Sequence, residues 1–253
     1  MKKILLSMVL LLTLSGFRVN NDIVLSGSYT NLIISQSGSK SDPIIVTGNN
    51  SHIQCLKITG SWVYVSDVVA EWCQQTGVVI TGRNVRFENS IVTDNAQVYG
   101  GAGWCEGVPE YHGITATKSP VLIKGNTVYN NCGHGIHSTT ASIENNSTFN
   151  NYVTNIYGTI VKSNVSECVF SPVTGIEVIG NVNVYQNYVS GCGVGISSAG
   201  TIYGNITENA GVGDTIRLNF DSFGTTVNGN HTTIPIIVEN IMGVILYDNY
   251  LFE

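Results

Sequence analysis

The feature that most constrains the fold is a phrase that returns about every twenty residues between Gly113 and Asn249. A Gly-Ile pair or a close variant recurs with spacings of 22, 20, 20, 20 and 20 residues, at Gly113-Ile114, Gly135-Ile136, Asn155-Ile156, Gly175-Ile176, Gly195-Ile196 and Thr215-Ile216. A second phrase places an asparagine three residues after an apolar residue and ends at Asn126, Asn146, Asn164, Asn187, Asn205, Asn230 and Asn249. A fixed period of this length, with short β-branched runs between Gly and Asn corners, indicates a solenoid in which each repeat forms one coil.

Each repeat offers only short strands, which cannot bury an apolar side alone but can do so by stacking into parallel sheets. The Leu-x-x-Leu-x-Leu pattern of leucine-rich repeats is absent, so the repeated Ile residues predict the inner column of a parallel β-helix. The repeated Asn residues predict a corner at which each amide bonds the Asn above and below and the same residue adopts left-handed geometry. A shift of 22 residues places Asp67 and Asn89 in this corner column. We therefore expect an all-β solenoid of nine to ten rungs over residues 17–253.

These phrases resemble those of the right-handed parallel β-helix proteins of the pectin lyase-like group, over nearly all of the chain after residue 20. The stretch from Gly27 through Pro43 to Val46 resembles the opening of chondroitinase B and related alginate lyases. The resemblance implies a right-handed helix and a polysaccharide partner. It also implies a lyase base, usually Lys or Arg, and often a Ca²⁺ ion that neutralises the uronate. The sequence itself identifies no cofactor and no metal-ligand spacing.

Composition limits the classes of binding partner that the chain can have. The chain of 253 residues is 43% hydrophobic and only 11% charged, which fits one ordered, extended domain. Its net charge is −6, and no Lys/Arg cluster follows Lys2-Lys3, which argues against nucleic-acid binding. An acidic polysaccharide would need a local basic patch or a bridging cation, because the overall field opposes it.

The N-terminus and the cysteines predict export. Residues 1–16 combine two lysines, an apolar run and Ser15-Gly16, which predicts a secretory signal and a secreted or cell-surface protein without a membrane span after signal removal. The alternative is a helix that caps the first rung. Six cysteines permit disulfides. Cys132 and Cys192 could be buried thiols or bridges, and Cys105 is the candidate for a bridge that pins a loop.

The largest departure from the period predicts the binding face. The step from Asn89 to Asn126 is 37 residues, so an inserted loop at 94–111 is expected on one face of the solenoid. The loop carries Trp104 and Tyr111, which are candidate substrate-binding residues. His112 and His134 occupy equivalent positions on adjacent rungs, beside His137. These three histidines are candidate catalytic residues or metal ligands, with a simple turn-filling role as the alternative for His134.

Two outward ladders supply further candidates. After His137 the column that follows the repeated Ile continues with Tyr157 and Glu177, which are candidate substrate contacts. The residue after each interior apolar position forms a second ladder, which contains Lys124, Glu144, Lys162, Tyr185, Tyr203, Asn228 and Tyr247. This ladder fits either cross-strand pairing or sugar stacking, so Tyr185 and Tyr203 are candidate binding residues. Lys124 is a second candidate base.

Gly133-His134-Gly135-Ile136 resembles a segment of polygalacturonases, but the paired Asp residues that such a hydrolysis needs are absent. Two function hypotheses remain open. The first is binding or lyase-type degradation of an extracellular polysaccharide by the Trp104 loop and the histidines. The second is a non-enzymatic structural or adhesive β-helix, such as a surface or virion spike component, which forms a homo-oligomer through an uncapped C-terminal end near Phe252.

Overall fold

The structure is a computed structural model that describes residues 22–96, 111–168, 174–192, 194–198, 200–208, 216–218, 226–232, 236–238 and 245–251. The predicted signal, Trp104, Cys105 and Phe252 lie outside these residues. So does most of the predicted loop at 94–111, of which residues 94–96 and 111 are described.

The described residues form strands and turns without any helix. In chain order the strands are β1 (Asp22–Val24), β2 (Ser28–Ile34), β3 (Ile44–Ile58), β4 (Val63–Glu71), β5 (Val78–Ile80), β6 (Val85–Glu88), β7 (Ile91–Thr93), β8 (Ile114–Ala116), β9 (Val121–Lys124), β10 (Thr127–Tyr129), β11 (Ile136–Glu144), β12 (Ser147–Phe149), β13 (Thr154–Lys162), β14 (Val165–Glu167), β15 (Thr174–Tyr185), β16 (Tyr188–Ser190), β17 (Val194–Ser198), β18 (Gly200–Tyr203), β19 (Ile206–Glu208), β20 (Ile216–Leu218), β21 (Thr226–Asn228), β22 (His231–Thr232), β23 (Ile237–Val238), β24 (Ile245–Tyr247) and β25 (Tyr250–Leu251).

The strands pair in parallel along three columns, and each turn of the chain contributes to all three. Sheet A contains β1, the starts of β3 and β4, then β6 and β9, the ends of β11, β13 and β15, and finally β18, β21 and β24. Sheet B contains the start of β2, the middle of β3, the end of β4, and β7, β10, β12, β14, β16, β19, β22 and β25. Sheet C contains the ends of β2 and β3, then β5 and β8, the starts of β11, β13 and β15, and finally β17, β20 and β23. This topology confirms the predicted parallel β-helix, and the strands of sheet C agree with nine to ten rungs.

The repeated isoleucines form the predicted inner column. Ile136 pairs with Ile114 on one side and with Ile156 on the other, and the column continues through Ile176 to Ile216. Each of these side chains is 0% exposed. Side chains alternate between the two faces of a strand, so burying the Ile turns the next residue toward solvent.

The repeated asparagines form a hydrogen-bonded ladder at the corner between sheets A and B. Asn126 Nδ2 donates to Asn146 Oδ1 at 3.0 Å, and Asn146 Nδ2 donates to Asn164 Oδ1 at 3.0 Å. The same contact continues turn by turn to Asn249. Each Oδ1 also accepts the backbone N–H of the preceding asparagine, so the buried amides are satisfied. The predicted amide ladder is confirmed.

The predicted left-handed geometry belongs to the preceding residue, so this part of the prediction was wrong. Asp67 and Asn89 align with Gly125 rather than with Asn126, and all three have positive φ, at 58°, 50° and 68°. In the turn before Asn126, Ser90 occupies the ladder position that asparagine occupies elsewhere. Its N–H donates to Asn126 Oδ1 at 3.0 Å. One residue makes the turn, which frees the next to direct its amide into the corner.

A second ladder, which the sequence did not reveal, occupies the corner between sheets B and C. Its members are bonded in the order Asn95, Asn131, Asn151 and Asn155 by amide contacts of 2.9–3.0 Å. Asn155 lies only four residues after Asn151, which hides the ladder from a search at a fixed period.

Disulfides lie at both ends of this second ladder. The Cys73 N–H donates to Asn95 Oδ1 at 3.0 Å, and Cys73 is bonded to Cys55. Asn155 Nδ2 contacts Cys168 Sγ at 3.4 Å, and Cys168 is bonded to Cys192. Cys132 is also disulfide-bonded. The alternatives left open for Cys132 and Cys192 are therefore settled in favour of bridges.

We predict that Asn146→Ala destabilises the protein strongly. The substitution removes the acceptor for two donors of Asn126 and the donor to Asn164 Oδ1. Each orphaned buried group costs about 1–3 kcal/mol. Urea unfolding should therefore show a loss of at least about 2 kcal/mol in the free energy of unfolding.

The neighbouring Asn145 supplies the control. It is exposed and has a φ of 53°, which glycine adopts without strain. Asn145→Gly should change the free energy of unfolding by less than about 0.5 kcal/mol. Equal losses in both variants would contradict the ladder account.

Candidate functional site

The parallel register gathers the predicted histidines on one side of the molecule. His137, Tyr157 and Glu177 are consecutive members of the outward column of sheet C, on β11, β13 and β15. His112 and His134 stand two residues before buried isoleucines, at the adjoining corner between sheets B and C. Residues far apart in sequence thus become neighbours because their rungs stack.

The three imidazoles contact one another. The ring centroids are 4.9 Å apart for His112 and His134, 4.5 Å for His112 and His137, and 5.1 Å for His134 and His137. Tyr157 extends the group, with its ring centroid 4.6 Å from that of His137 and the two planes 24° apart. We call His112, His134, His137 and Tyr157 the histidine patch.

Backbone contacts fix His112. Its side chain is only 7% exposed, and its N–H donates to Thr76 Oγ1 at 3.1 Å. The His134 N–H donates to His112 Nδ1 at 3.2 Å, so neutral His112 carries its proton on Nε2. Gly133 permits this approach, because a Cβ there would collide with the Tyr111 carbonyl oxygen. The Gly-His-Gly string thus has a packing reason.

Burial keeps the imidazoles neutral. Burial, reinforced by His134 and His137, lowers the pKa of His112 to about 3. Burial and His137 lower the pKa of His134 to about 4. Burial alone lowers the pKa of His137 from its ordinary value of 6.5. Fewer causes lower the pKa of His137 than lower those of His112 and His134, so His137 is the strongest base of the three at neutral pH.

The pKa of Tyr157 is shifted in the opposite direction. Its partial burial and the nearby Glu177 carboxylate raise the pKa of its phenol above 10.0, so the phenol keeps its proton. The Thr154 hydroxyl donates to Glu177 Oε2 at 3.3 Å, which holds the carboxylate in place. A neutral imidazole beside a protonated phenol can act as a general base and a general acid.

The other candidate base lies elsewhere. Lys124 belongs to sheet A, where it pairs in register with Glu88 and Glu144, so the structure does not bring it to the histidines. The register confirms the predicted ladder of sheet A. Within it Tyr185 and Tyr203 stack with centroids 5.0 Å apart and planes 3° apart. Each ring turns a face toward its neighbour, which favours cross-strand pairing over sugar stacking.

Sequence reasoning missed Thr76, which anchors His112. The signal was the pair Gly77-Val78, a variant of the repeated Gly-Ile phrase. Val78 pairs with Ile114 in the structure, so Thr76 falls in the same column as His112. Tyr111, a predicted binding residue, is partly buried directly before His112. Trp104 lies outside the described residues.

No group of three or more His, Cys, Asp or Glu side chains in the described ranges is arranged to hold a metal ion. The Ca²⁺ ion that the resemblance implies stays a prediction. Across the same ranges no helix is long and apolar enough to cross a membrane.

No family model and no curated protein matches the sequence. Among solved structures, the A-module of the mannuronan C-5 epimerase AlgE4 of Azotobacter vinelandii is similar with a TM-score of 0.56 and 14% identity, over 91% of this chain and 76% of that one. An alginate lyase from Paenibacillus sp. str. FPU-7 gives a TM-score of 0.47 and 14% identity, over 91% of both chains. At such identity the likeness to the epimerase module establishes the fold alone. It confirms the predicted resemblance to the parallel β-helix proteins.

The low pKa of His112 makes the fold sensitive to acid. In the unfolded chain His112 takes up a proton near its ordinary pKa of 6.5, whereas in the folded chain it does so only near 3. The unfolded state thus binds more protons between these values, so the free energy of unfolding falls as the pH drops below 6.5. We predict that His112→Gln shows a smaller fall in urea titrations at about pH 7 and about pH 4.5.

Tyr157→Phe is the control for this prediction, because it keeps the ring and leaves the imidazoles in place. It should lose as much stability on acidification as the unchanged protein. If His112→Gln lost just as much as this control, His112 would not be the buried neutral group described above.

Proposed function

We propose that this chain binds uronate-containing polysaccharides and cleaves them by β-elimination at the histidine patch. The observation that carries the proposal is the contact between His137, a neutral imidazole, and Tyr157, a phenol that holds its proton. Elimination next to a carboxylate needs a base for the proton on C5 and an acid for the departing oxygen on C4. These two side chains match that requirement.

The proposed step balances within this pair. An imidazole nitrogen of His137 takes the C5 proton, the electron pair left on C5 forms the C4=C5 double bond, and the bond from C4 to the glycosidic oxygen breaks. The Tyr157 hydroxyl gives its proton to that oxygen. The imidazolium then returns a proton to the phenolate, which restores both groups without any further reagent.

The shape of the surface supports a polymeric substrate. Thr115, His137, Tyr157 and Glu177 follow one another along sheet C with one residue from each strand. Parallel strands are spaced about 4.8 Å apart, so the column forms a long, straight surface along the helix axis. An extended sugar chain fits this geometry better than a small metabolite, which normally requires a concave pocket.

We also propose that the protein works in an oxidising compartment outside the cytoplasm. The bonds Cys55–Cys73 and Cys168–Cys192 support this, because structural disulfides persist chiefly in exported proteins. The sequence at residues 1–16 has the pattern of an export signal. Both observations agree with a substrate outside the cell.

A structural or adhesive role remains the second candidate, favoured by the last described turn. Leu246 aligns with buried Val227, and Leu251 aligns with buried Thr232, yet they are 48% and 56% exposed. They border an open cavity of about 400 Å³ with Thr232, Ile236, Asp248, Asn249 and Tyr250. Exposed apolar side chains at inward positions would allow docking of another chain. A concentration-dependent oligomer that lacks lyase activity would support this candidate.

The test of the leading proposal is the ultraviolet absorbance of the unsaturated product formed from a panel of uronate polymers. We predict that His137→Gln and Tyr157→Phe each lower kcat/KM by on the order of 10²–10⁴-fold, the usual worth of general acid–base catalysis. A substrate with fluorine on C4 separates the two roles. Fluoride leaves without a proton, so Tyr157→Phe should cleave it almost normally and His137→Gln should not.

His52→Gln is the matched control, because His52 lies on sheet B and bonds Glu71 at 2.6 Å, away from the patch. It should leave kcat/KM unchanged. The absence of product with every uronate polymer, or equal losses in the control and the patch variants, would overturn the proposal.

A further inference from the structure

The histidine patch presents its proton-transferring groups from one side only. His137 and Tyr157 are partners in the strand register and project from the same outer face of sheet C. Their rings lie nearly parallel, with centroids 4.6 Å apart. The inner sides of the same strands are filled by Ile136 and Ile156, which are fully buried. A sugar ring that lies on this face meets both groups with the same face of the ring.

This placement restricts the stereochemistry of elimination. A proton can be taken from C5 and another delivered to the oxygen on C4 by neighbouring groups on one surface only if both substituents lie on the same face of the ring. In 4-linked uronates of gluco or manno configuration, the C5 hydrogen and the C4 oxygen share a face. In those of galacto, gulo or ido configuration, they lie on opposite faces.

We infer that the site performs a syn elimination and is therefore selective for 4-linked uronates of gluco or manno configuration. The inference rests on the proposed β-elimination and adds to it the substrate class. The bonds change as described above: C5–H and C4–O break, C4=C5 forms, and the leaving oxygen gains the phenolic proton of Tyr157. An anti elimination would need the acid on the far side of the ring from His137.

Glu177 supports the assignment of Tyr157 as the acid and His137 as the base. It is the next member of the outward column after Tyr157, and Thr154 holds its carboxylate at 3.3 Å. Partial burial and this negative charge both oppose ionisation of the phenol, so Tyr157 remains the acid and His137 the base. The order of the column from His137 to Tyr157 to Glu177 then sets the direction in which the polymer lies. The ring that loses its proton sits over β11, and the departing unit sits over β13 and β15.

The experiment compares two matched pairs of polymers with the full chain: a 4-linked glucuronan against a 4-linked galacturonan, and a mannuronate block against a guluronate block. We predict that the gluco and manno members are cleaved with a kcat/KM at least on the order of 10²-fold higher than their partners, since a misplaced acid forfeits general acid catalysis. The unsaturated product absorbs in the ultraviolet and provides the readout.

The outcomes separate the two proposals. Equal or faster cleavage of the galacto or gulo member would overturn the syn inference and leave β-elimination standing. Failure to cleave any of the four polymers would overturn both. As a further check, the preference should disappear when the leaving group needs no proton: Tyr157→Phe should cleave a glucuronoside with fluorine on C4 and its galacto epimer alike, because the C5 hydrogen lies on the same face of both rings. Failure to cleave the galacto epimer would mean that the place of the acid does not cause the selectivity, and it would overturn the syn inference.

Discussion

The stacking of rungs in exact register is the constraint on which the rest of the structure depends, and the buried asparagine amides enforce it. A parallel sheet tolerates sliding when its faces are uniform, but an amide ladder does not. A displaced rung would leave the donors of Asn126 and the acceptor of Asn164 unpaired in a dry corner. The same register sets His137 beside Tyr157 and aligns His112 with Thr76. The arrangement of the histidine patch thus depends on the asparagine ladder at another corner of the solenoid.

Sequence periodicity predicted the features that repeat at one fixed position in each turn. The column from Ile114 to Ile216, the amides from Asn126 to Asn249 and the meeting of the histidines all follow from a spacing near twenty. Periodicity missed the features that depend on details within a turn. The residue with left-handed geometry lies one position before the ladder asparagine. Periodicity did not show this, because Gly, Asn, Asp and Ser all occupy that position. Asn155 joins the second ladder from an irregular spacing. Lys124, the second candidate base, lies in sheet A and not beside the histidines.

The electrostatics of the patch differ from those of the molecule. The chain carries a net charge of −6, yet the patch is built from groups that burial keeps uncharged. Burial opposes protonation of all three imidazoles, and the neighbouring imidazoles reinforce it for His112 and His134. For Tyr157, partial burial and the Glu177 carboxylate raise the pKa of the phenol, which therefore keeps its proton. One short stretch of sheet C therefore keeps a base and an acid available at the same pH, which is the property that proton transfer requires.

The most direct test of this account is nitrogen NMR of the imidazoles in the full chain at about pH 5, with and without an oligouronate, since free histidines are mostly protonated there. The account predicts neutral imidazoles for His112 and His134, with the His112 proton on Nε2, and a change in the His137 signals when the sugar is added. Ordinary titration of all three near 6.5 together with no response to the oligouronate would contradict it.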